Sequence, residues 1–482
     1  MSHVPGESVV IRLARRARAL PVQRVLGVAL ATALVLSLMT QAASPQPPVA
    51  VVLPGHRPNI VLVLSDDQRA DEMTHMPNVR RLLTRHGVRF THAMVPNSLC
   101  CPSRSSILSG LYSHDSGVWT NGAKWYGGWS AFHANGLESR SVAVALQTAG
   151  YRTGLIGKYL NGYGSYAPKG YVPPGWNTFE AFDTRRSGKY FNYWLTDGSH
   201  YGGEASDYST DVLAKRAARF VRTTPAHTPL FLYFAPYGPH APWLPAPRDE
   251  TSLNAKMKPY RVPSLTASRR GKPAYVRHAP KVSAFHAETV LLRQEETLIS
   301  VDDAVGRLVR TLRRTGRLHN TLFVYTSDNG VEVGEHGLLG KDVPYHEDTD
   351  VPMVMRWDGH IPPGSVDPRI ALNVDLAATF TTAASVRMQS DGLDLLGSAR
   401  RRGAVIEAEQ TPGHRRPSYC GWRTRRWMYV RYSSGEQELY DYATDPYELH
   451  NLAHLPAYRP RVARFVALDK AHCYPTPPSF HW

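Results

Sequence analysis
Cysteine is scarce in this 482-residue chain: Cys100, Cys101, Cys420 and Cys473 are too few for a disulfide scaffold or a cysteine-rich zinc site. Internal repeats and low-complexity tracts do not occur, so the chain is no repeat array. Beyond the N-terminal segment no apolar run has the length of a bilayer span. Acidic residues are in deficit, 40 against 56 Lys and Arg, which leaves a formal net charge of +16. Such an excess favours nucleic acid, anionic surfaces or polyanionic substrates. No nucleic-acid-binding motif accompanies the charge, and acidic substrates are the favoured partners. Hydrophobic residues make up 42% of the chain, enough for a full core, and its length predicts two packed units.

Arg12, Arg15, Arg16, Arg18 and Arg24 precede an apolar stretch from Val25 to Met39, followed by small residues to Ser44. This order predicts a secretory signal over residues 1–43, cleaved near Ala42 or Ala43, and a secreted or extracytoplasmic protein with no stable membrane span afterwards. An uncleaved N-terminal anchor is the alternative. The mature chain would carry +12. In an oxidising compartment Cys420 and Cys473 either bridge or remain ordinary thiols.

Residues 44–57 are rich in proline and read as a flexible leader. Three apolar, β-prone runs follow, at residues 59–65, 230–235 and 321–326, as expected of strands buried on both faces. Helical patterns lie between them, at Ser141 to Ala149 and at Glu288 to Arg314, where Leu298, Val301, Val305, Leu308, Val309 and Leu312 share one face. The alternation predicts an α/β fold, a mostly parallel sheet flanked by helices over residues 58–385. From residue 386 to 482 the texture changes. Residues 426–432, a Ser433-Ser434-Gly435 turn and residues 438–441 predict an antiparallel hairpin in a smaller α+β subdomain.

The segment Cys100-Cys101-Pro102-Ser103-Arg104-Ser105-Ser106-Ile107-Leu108-Ser109-Gly110 carries the strongest chemical signal. Pro102 suits the first turn of a helix and Gly110 the residue just past its end. Cys100 then stands at a helix N-terminus, where free amides favour an anion or a nucleophile, and Arg104 lies one turn on. The segment resembles the type I sulfatase signature C-x-P-S-R-x-x-x-L-x-G in every fixed position. The resemblance implies an alkaline-phosphatase-like fold and conversion of Cys100 to formylglycine by a formylglycine-generating enzyme, with Cys101 as the variable position.

Asp66-Asp67 follow the first apolar run, and Asp328-Asn329-Gly330 follow the third. In open parallel sheets, sites form beyond the carboxyl ends of strands. These oxygen donors suit Ca²⁺ or Mg²⁺ and would relieve their mutual repulsion by holding a cation; as isolated pairs they would be turn caps. By resemblance the metal set is Asp66, Asp67, Asp328, Asn329 and the modified Cys100, and the ion is calcium, with Mg²⁺ open on the residues alone.

A sulfate monoester must be held by positive charge while its S–O bond breaks. Arg104, Lys158 in the G-K element, His240 in Pro239-His240-Ala241-Pro242, and Lys341 in Gly334-Glu335-His336-Gly337-Leu338-Leu339-Gly340-Lys341 are the candidates. By resemblance, Lys158 grips sulfate, His240 and Lys341 hold it and assist the leaving oxygen, and Arg104 stabilises the formylglycine hydrate. His336 is expected to shape its loop, with direct contact to substrate the alternative. Many relatives carry a histidine shortly after the G-K lysine, whereas this chain has Lys158-Tyr159-Leu160-Asn161. That form is similar to the N-acetylglucosamine-6-sulfatase branch, as are Tyr190-Phe191-Asn192-Tyr193 and Leu298-Ile299-Ser300-Val301-Asp302-Asp303. Residues 243–286 bring nine basic residues, Lys272 among them, and read either as a basic lid or as a solvated loop.

The reaction so implied is hydrolysis of a sulfated glycan or aryl sulfate by the hydrate, with Asp328 aiding attack and His240 or Lys341 protonating the leaving oxygen. Two other readings stay open on these residues. One is a phosphodiesterase or phosphonate monoester hydrolase on the same scaffold, the other a non-catalytic polyanion-binding protein with Cys100 unmodified.

Overall fold
The computed structural model describes residues 57–123, 126–185, 188–256 and 259–482. The expected signal segment, and the leader up to residue 56, lie outside the described residues. Eight strands form the main sheet: β1 (Asn59–Ser65), β2 (Val88–Met94), β3 (Arg152–Gly157), β4 (Thr178–Ala181), β5 (Leu230–Ala235), β6 (Thr321–Ser327), β7 (Met353–Arg356) and β8 (Ser365–Leu372). Their order is β8-β2-β7-β6-β1-β5-β3-β4, and β7 alone runs against its neighbours. The three apolar runs of the sequence are the three adjacent central strands β5, β1 and β6, every residue of them buried.

Side chains alternate across a strand, so β1 feeds two cores at once. Ile60, Leu62 and Leu64 pack with Ile107 and Leu108 of α1 (Cys100–Ser109), Leu146 of α2 (Val142–Thr148) and Phe380 of α5 (Asp375–Ala383). Val61 and Val63 face the other way, onto Leu213 and Ala217 of α3 (Ser209–Thr223) and Leu298, Val301 and Leu308 of α4 (Ala284–Arg314). The result is helix, sheet and helix in three layers. Helix α4 starts four residues before its apolar stripe predicts. The Ser283 side chain caps it by accepting the His286 N–H, and Phe285 in the first turn is exposed, so this turn lacks the periodic signal.

The C-terminal segment forms an antiparallel sheet of β9 (Ala404–Ala408), β10 (Tyr419–Arg423), β11 (Trp427–Tyr432) and β12 (Gln437–Asp441), in that order. Helix α6 (Arg459–His472) lays Phe465 on Tyr429 and Leu439. Cys473, just past α6, is disulfide-bonded to Cys420 of β10. Ile406, Met428 and Tyr440 of this sheet share a core with Met94, Leu372 and Tyr345, which ties it to the edge of the main sheet. Among the described residues no helix is long and apolar enough to cross a membrane.

Candidate active site
β1 and β6 pair in parallel with Ser65 opposite Ser327, so Asp66-Asp67 and Asp328-Asn329 leave the sheet side by side. Successive strand residues normally point to opposite faces. Here Asp67 adopts a left-handed backbone (φ 67°), which turns both carboxylates toward one place. Asp66 Oδ1 lies 3.6 Å and Asp67 Oδ1 3.8 Å from Cys100 Sγ. The Asp67 amide donates to Asp328 Oδ1 at 3.1 Å, and Asn329 Nδ2 donates to Asp67 Oδ1 at 2.7 Å. Gly330 lets the chain pass Glu347, whose carbonyl oxygen would lie 2.1 Å from an added Cβ.

Helix α1 begins and ends where its residues predict: Leu99 is the N-cap, Pro102 is in the first turn and Gly110 ends it at φ 73°. Cys100 is thereby fixed at the N-terminus. One turn on, the fully buried Arg104 donates from Nε to Asp328 Oδ2 at 2.7 Å and from Nη1 to the Lys158 carbonyl at 3.0 Å. Its hydrogen bonds therefore run to the carboxylate wall and to the lysine backbone. Gly157 explains the G-K element. It has φ 117°, and an added Cβ would lie 2.0 Å from the Ala235 carbonyl oxygen, so only glycine lets β3 close on β5 and aim Lys158 inward. Lys158 Nζ donates to both Asp66 oxygens, at 2.8 and 2.6 Å. Lys341 Nζ donates to Asp67 Oδ1 and lies 2.7 Å from Cys100 Sγ.

His240 follows β5 and places Nε2 3.6 Å from Asp67 Oδ2. Its Nδ1 lies 2.7 Å from the Ala241 carbonyl oxygen and 3.0 Å from Lys189 Nζ. Lys189 escapes the sequence reading, although it immediately precedes Tyr190-Phe191-Asn192-Tyr193. The Tyr237 ring lies between two ammonium groups, 5.5 Å from Lys158 and 5.6 Å from Lys189.

The structure thus brings together every residue the sequence nominates, and it changes one argument about them. The repulsion among Asp66, Asp67 and Asp328, which on sequence grounds calls for a cation, is already met by Lys158, Lys341 and Arg104. Burial raises the Asp66 carboxyl, but Lys158, His240 and Arg104 outweigh it and hold the group well below the usual range. Asp67 is lowered too, with Lys341 the chief cation against burial. Burial pushes the Cys100 thiol up to about 12 despite Lys158 and Lys341, so as a cysteine it is a neutral thiol and a poor nucleophile at neutral pH. Burial also lowers His240, past the raising effect of Asp67 and Asp66.

A divalent cation fits the donor set. Ligand atoms of Asp66, Asp67, Cys100 and His240 lie within 4.8 Å of one another, and Asn329 Oδ1 is buried with no hydrogen-bond partner. Carboxylate and amide oxygens are the donors of hard cations. His336 is buried against Tyr345, with its ring centroid 4.4 Å away. Residues 243–286, read either as a basic lid or as a solvated loop, are not solvated throughout. Lys272 is 1% exposed, over the rings of Tyr345 and Tyr440, while Arg248 pairs with Asp211 and Arg269 donates to the carbonyls of Val276 and Ala279. Lys272 and Arg248 thus tie the segment to the rest of the protein, through the rings of Tyr345 and Tyr440 and through Asp211, while Arg269 braces the segment against itself.

A mostly parallel sheet between two helical layers, with carboxylates and lysines at its strand ends and a cysteine as the first residue of a helix, defines an alkaline-phosphatase-like α/β protein. The sulfatase family profile matches residues 58–386, and the N-sulphoglucosamine sulphohydrolase C-terminal profile matches residues 334–467. The chain belongs to the sulfatase family. It is 37% identical over 344 residues to a putative extracellular sulfatase Sulf-1 homolog of Caenorhabditis elegans, covering 68% of this chain and 47% of that protein. It is 34% identical over 360 residues to the N-acetylglucosamine-6-sulfatase of Homo sapiens, covering 70% of this chain and 64% of the human protein. The chain thus spans about half to two thirds of these relatives. In architecture it resembles a solved protein in complex with its substrate D-glucosamine-2-N,6-O-disulfate, with a TM-score of 0.75, 24% identity, and coverage of 86% of this chain and 97% of that one.

Proposed function
We propose that the protein hydrolyses sulfate monoesters of a sulfated carbohydrate, of the glucosamine type, and releases inorganic sulfate. The observation that carries this reading is the convergence of Lys158, Lys341, Arg104, His240 and three carboxylates on Cys100, at the head of the helix that bears the sulfatase signature. The family implies a divalent cation, calcium by resemblance, and formylglycine at residue 100; Asp66, Asp67, Asp328 and Asn329 are the residues to hold the ion, and their oxygen donors suit Ca²⁺ or Mg²⁺. When present, hydrated formylglycine would supply one hydroxyl for attack at sulfur and a second whose deprotonation would expel sulfate and restore the aldehyde, and the cation would make both hydroxyls more acidic.

The remaining tasks fall to the chain's own groups. Lys158 and Lys341 hold the sulfate oxygens and neutralise the charge that builds on them. Arg104 and the Asp67 amide fix Asp328 so that a carboxylate oxygen faces the attacking hydroxyl as its proton acceptor. His240, oriented by its Nδ1 contact with the Ala241 carbonyl, presents Nε2 to the leaving sugar oxygen; the charge of the bound sulfate favours its imidazolium form, which protonates that oxygen. In this reading residues 58–385 form the catalytic part and residues 386–482 close one side of it. A secreted or extracytoplasmic location belongs to the same proposal, supported by the Cys420–Cys473 disulfide and the printed name of the nematode relative.

Two measurements test the proposal. Mass spectrometry of the tryptic peptide containing residue 100 should show aldehyde in place of thiol. Initial rates should favour 4-nitrophenyl sulfate over the matching phosphate and phosphonate esters. An unmodified thiol with no sulfate release, or a preference for phosphorus, overturns it.

A further inference from the structure
The cations around Cys100 are reached from two cavities. One, of about 300 Å³, is walled by Lys158, Asn161, Lys189 and Tyr237. The other, of about 450 Å³, is walled by Lys341, Tyr275, His414 and Arg415. Lys158 and Lys341 end on the neighbouring carboxylates Asp66 and Asp67, so the two cavities approach one sulfate position through different walls. Each has the volume of a single small-ligand pocket, and the function proposed above needs only one of them for the ring that bears the sulfate.

The second cavity is built for an anion. His414 and Arg415 are exposed in the loop between β9 and β10, and Arg415 spends one donor on the His278 carbonyl at 3.3 Å, which leaves the rest of its fork free. The adjacent Arg416 is committed to Asp342 at 2.6 Å and contributes no free charge. Glu332, also in the wall, is 1% exposed, and burial with Glu347 and Glu335 nearby pushes its carboxyl well up, against the charged form that would oppose an anion. Leu339, 57% exposed at the rim, offers an apolar surface to the C–H face of a sugar.

Resting on the sulfatase reading, we infer that the substrate is a sulfated oligosaccharide that occupies both cavities, with a sulfate or carboxylate of the neighbouring sugar held by His414 and Arg415. Guanidinium matches either anion in a bidentate fork. The protein then selects chain length as well as the sulfate ester.

The test compares the full chain with the His414→Ala/Arg415→Ala double variant. Both are assayed for sulfate release from 4-nitrophenyl sulfate, a sulfated glucosamine and size-fractionated sulfated tetrasaccharides. In parallel, Cys100→Ala forms of both are titrated with the same saccharides by calorimetry. The expected result is a kcat/KM and an affinity about 10-fold or more higher for the tetrasaccharide than for the monosaccharide. That preference should vanish in the double variant while 4-nitrophenyl sulfate turnover stays unchanged. Equal affinity for both lengths, or a length preference that survives the double substitution, overturns the inference. Loss of all turnover with the aldehyde present, but with length-dependent binding intact, would instead overturn the hydrolase reading and leave the two-cavity inference supported.

Discussion
Replacing Lys341 by alanine should tighten cation binding and abolish most turnover. The two effects have opposite signs, which makes the experiment discriminating. Lys341 Nζ is held by Asp67 Oδ1, one of the oxygens proposed for the ion, and lies 2.7 Å from Cys100 Sγ. An ammonium and a divalent cation compete for that oxygen, and they also repel each other. A hydrogen bond to a charged group is worth about 1.5–3 kcal/mol. At about 1.4 kcal/mol per tenfold, freeing Asp67 should raise Ca²⁺ affinity about 10- to 100-fold. Turnover of 4-nitrophenyl sulfate should fall about 10²- to 10³-fold, as for loss of one preorganised donor to a developing anion. The assay is calorimetric titration of the chelator-stripped wild type, Lys341→Ala and Lys341→Arg at fixed ionic strength, with a thermal melt of each to confirm folding. Lys341→Arg keeps the competing charge and should bind Ca²⁺ like the wild type. If Lys341→Ala binds the ion more weakly than the wild type, or equally, the lysine does not contest the ion's ligands and the reasoning fails.

Three further outcomes follow from the geometry. His240→Ala should slow esters of poor leaving groups, such as a sulfated sugar, about 10²- to 10⁴-fold, but 4-nitrophenyl sulfate far less, because nitrophenolate departs without a proton; equal losses on both would remove His240 from the proton-donor role. Cys420 and Cys473 are 53 residues apart, and on the chain-entropy account their disulfide contributes about 4 kcal/mol. Cys420→Ser/Cys473→Ser should therefore unfold at markedly lower guanidinium, and an unchanged midpoint would refute this. Burial lowers His114, but Glu407 at 2.8 Å and Asp115 outweigh it and raise the group to about 8. A raised imidazolium stabilises fully below its unfolded value near 6.5, and that contribution is lost as pH climbs through about 8. The melting temperature should fall over that window, and His114→Gln should flatten the decline; an identical slope in the variant counts against the assignment.

Short-range signals carried much of this protein. The runs that became β5, β1 and β6 were legible because a strand buried on both faces must be apolar throughout. Pro102 and Gly110 bounded α1 through their own backbone limits, and the Asp pairs marked two strand ends before any pairing was known. None of that reached Lys189, whose importance lies in a 3.0 Å approach to a histidine 51 residues away. Nor did it foresee that Lys272, one of nine basic residues in a stretch read as either a lid or a solvated loop, would be buried against Tyr345 and Tyr440. The amino-acid sequence by itself determined which elements form and which chemical groups stand at their ends, since propensity, capping and motif spacing act within a few residues. Only the tertiary structure decided which cation faces which carboxylate, and which cavities Lys158 and Lys341 line. Those facts depend on strand order and on the left-handed turn at Asp67, where groups far apart in the chain come within hydrogen-bonding distance.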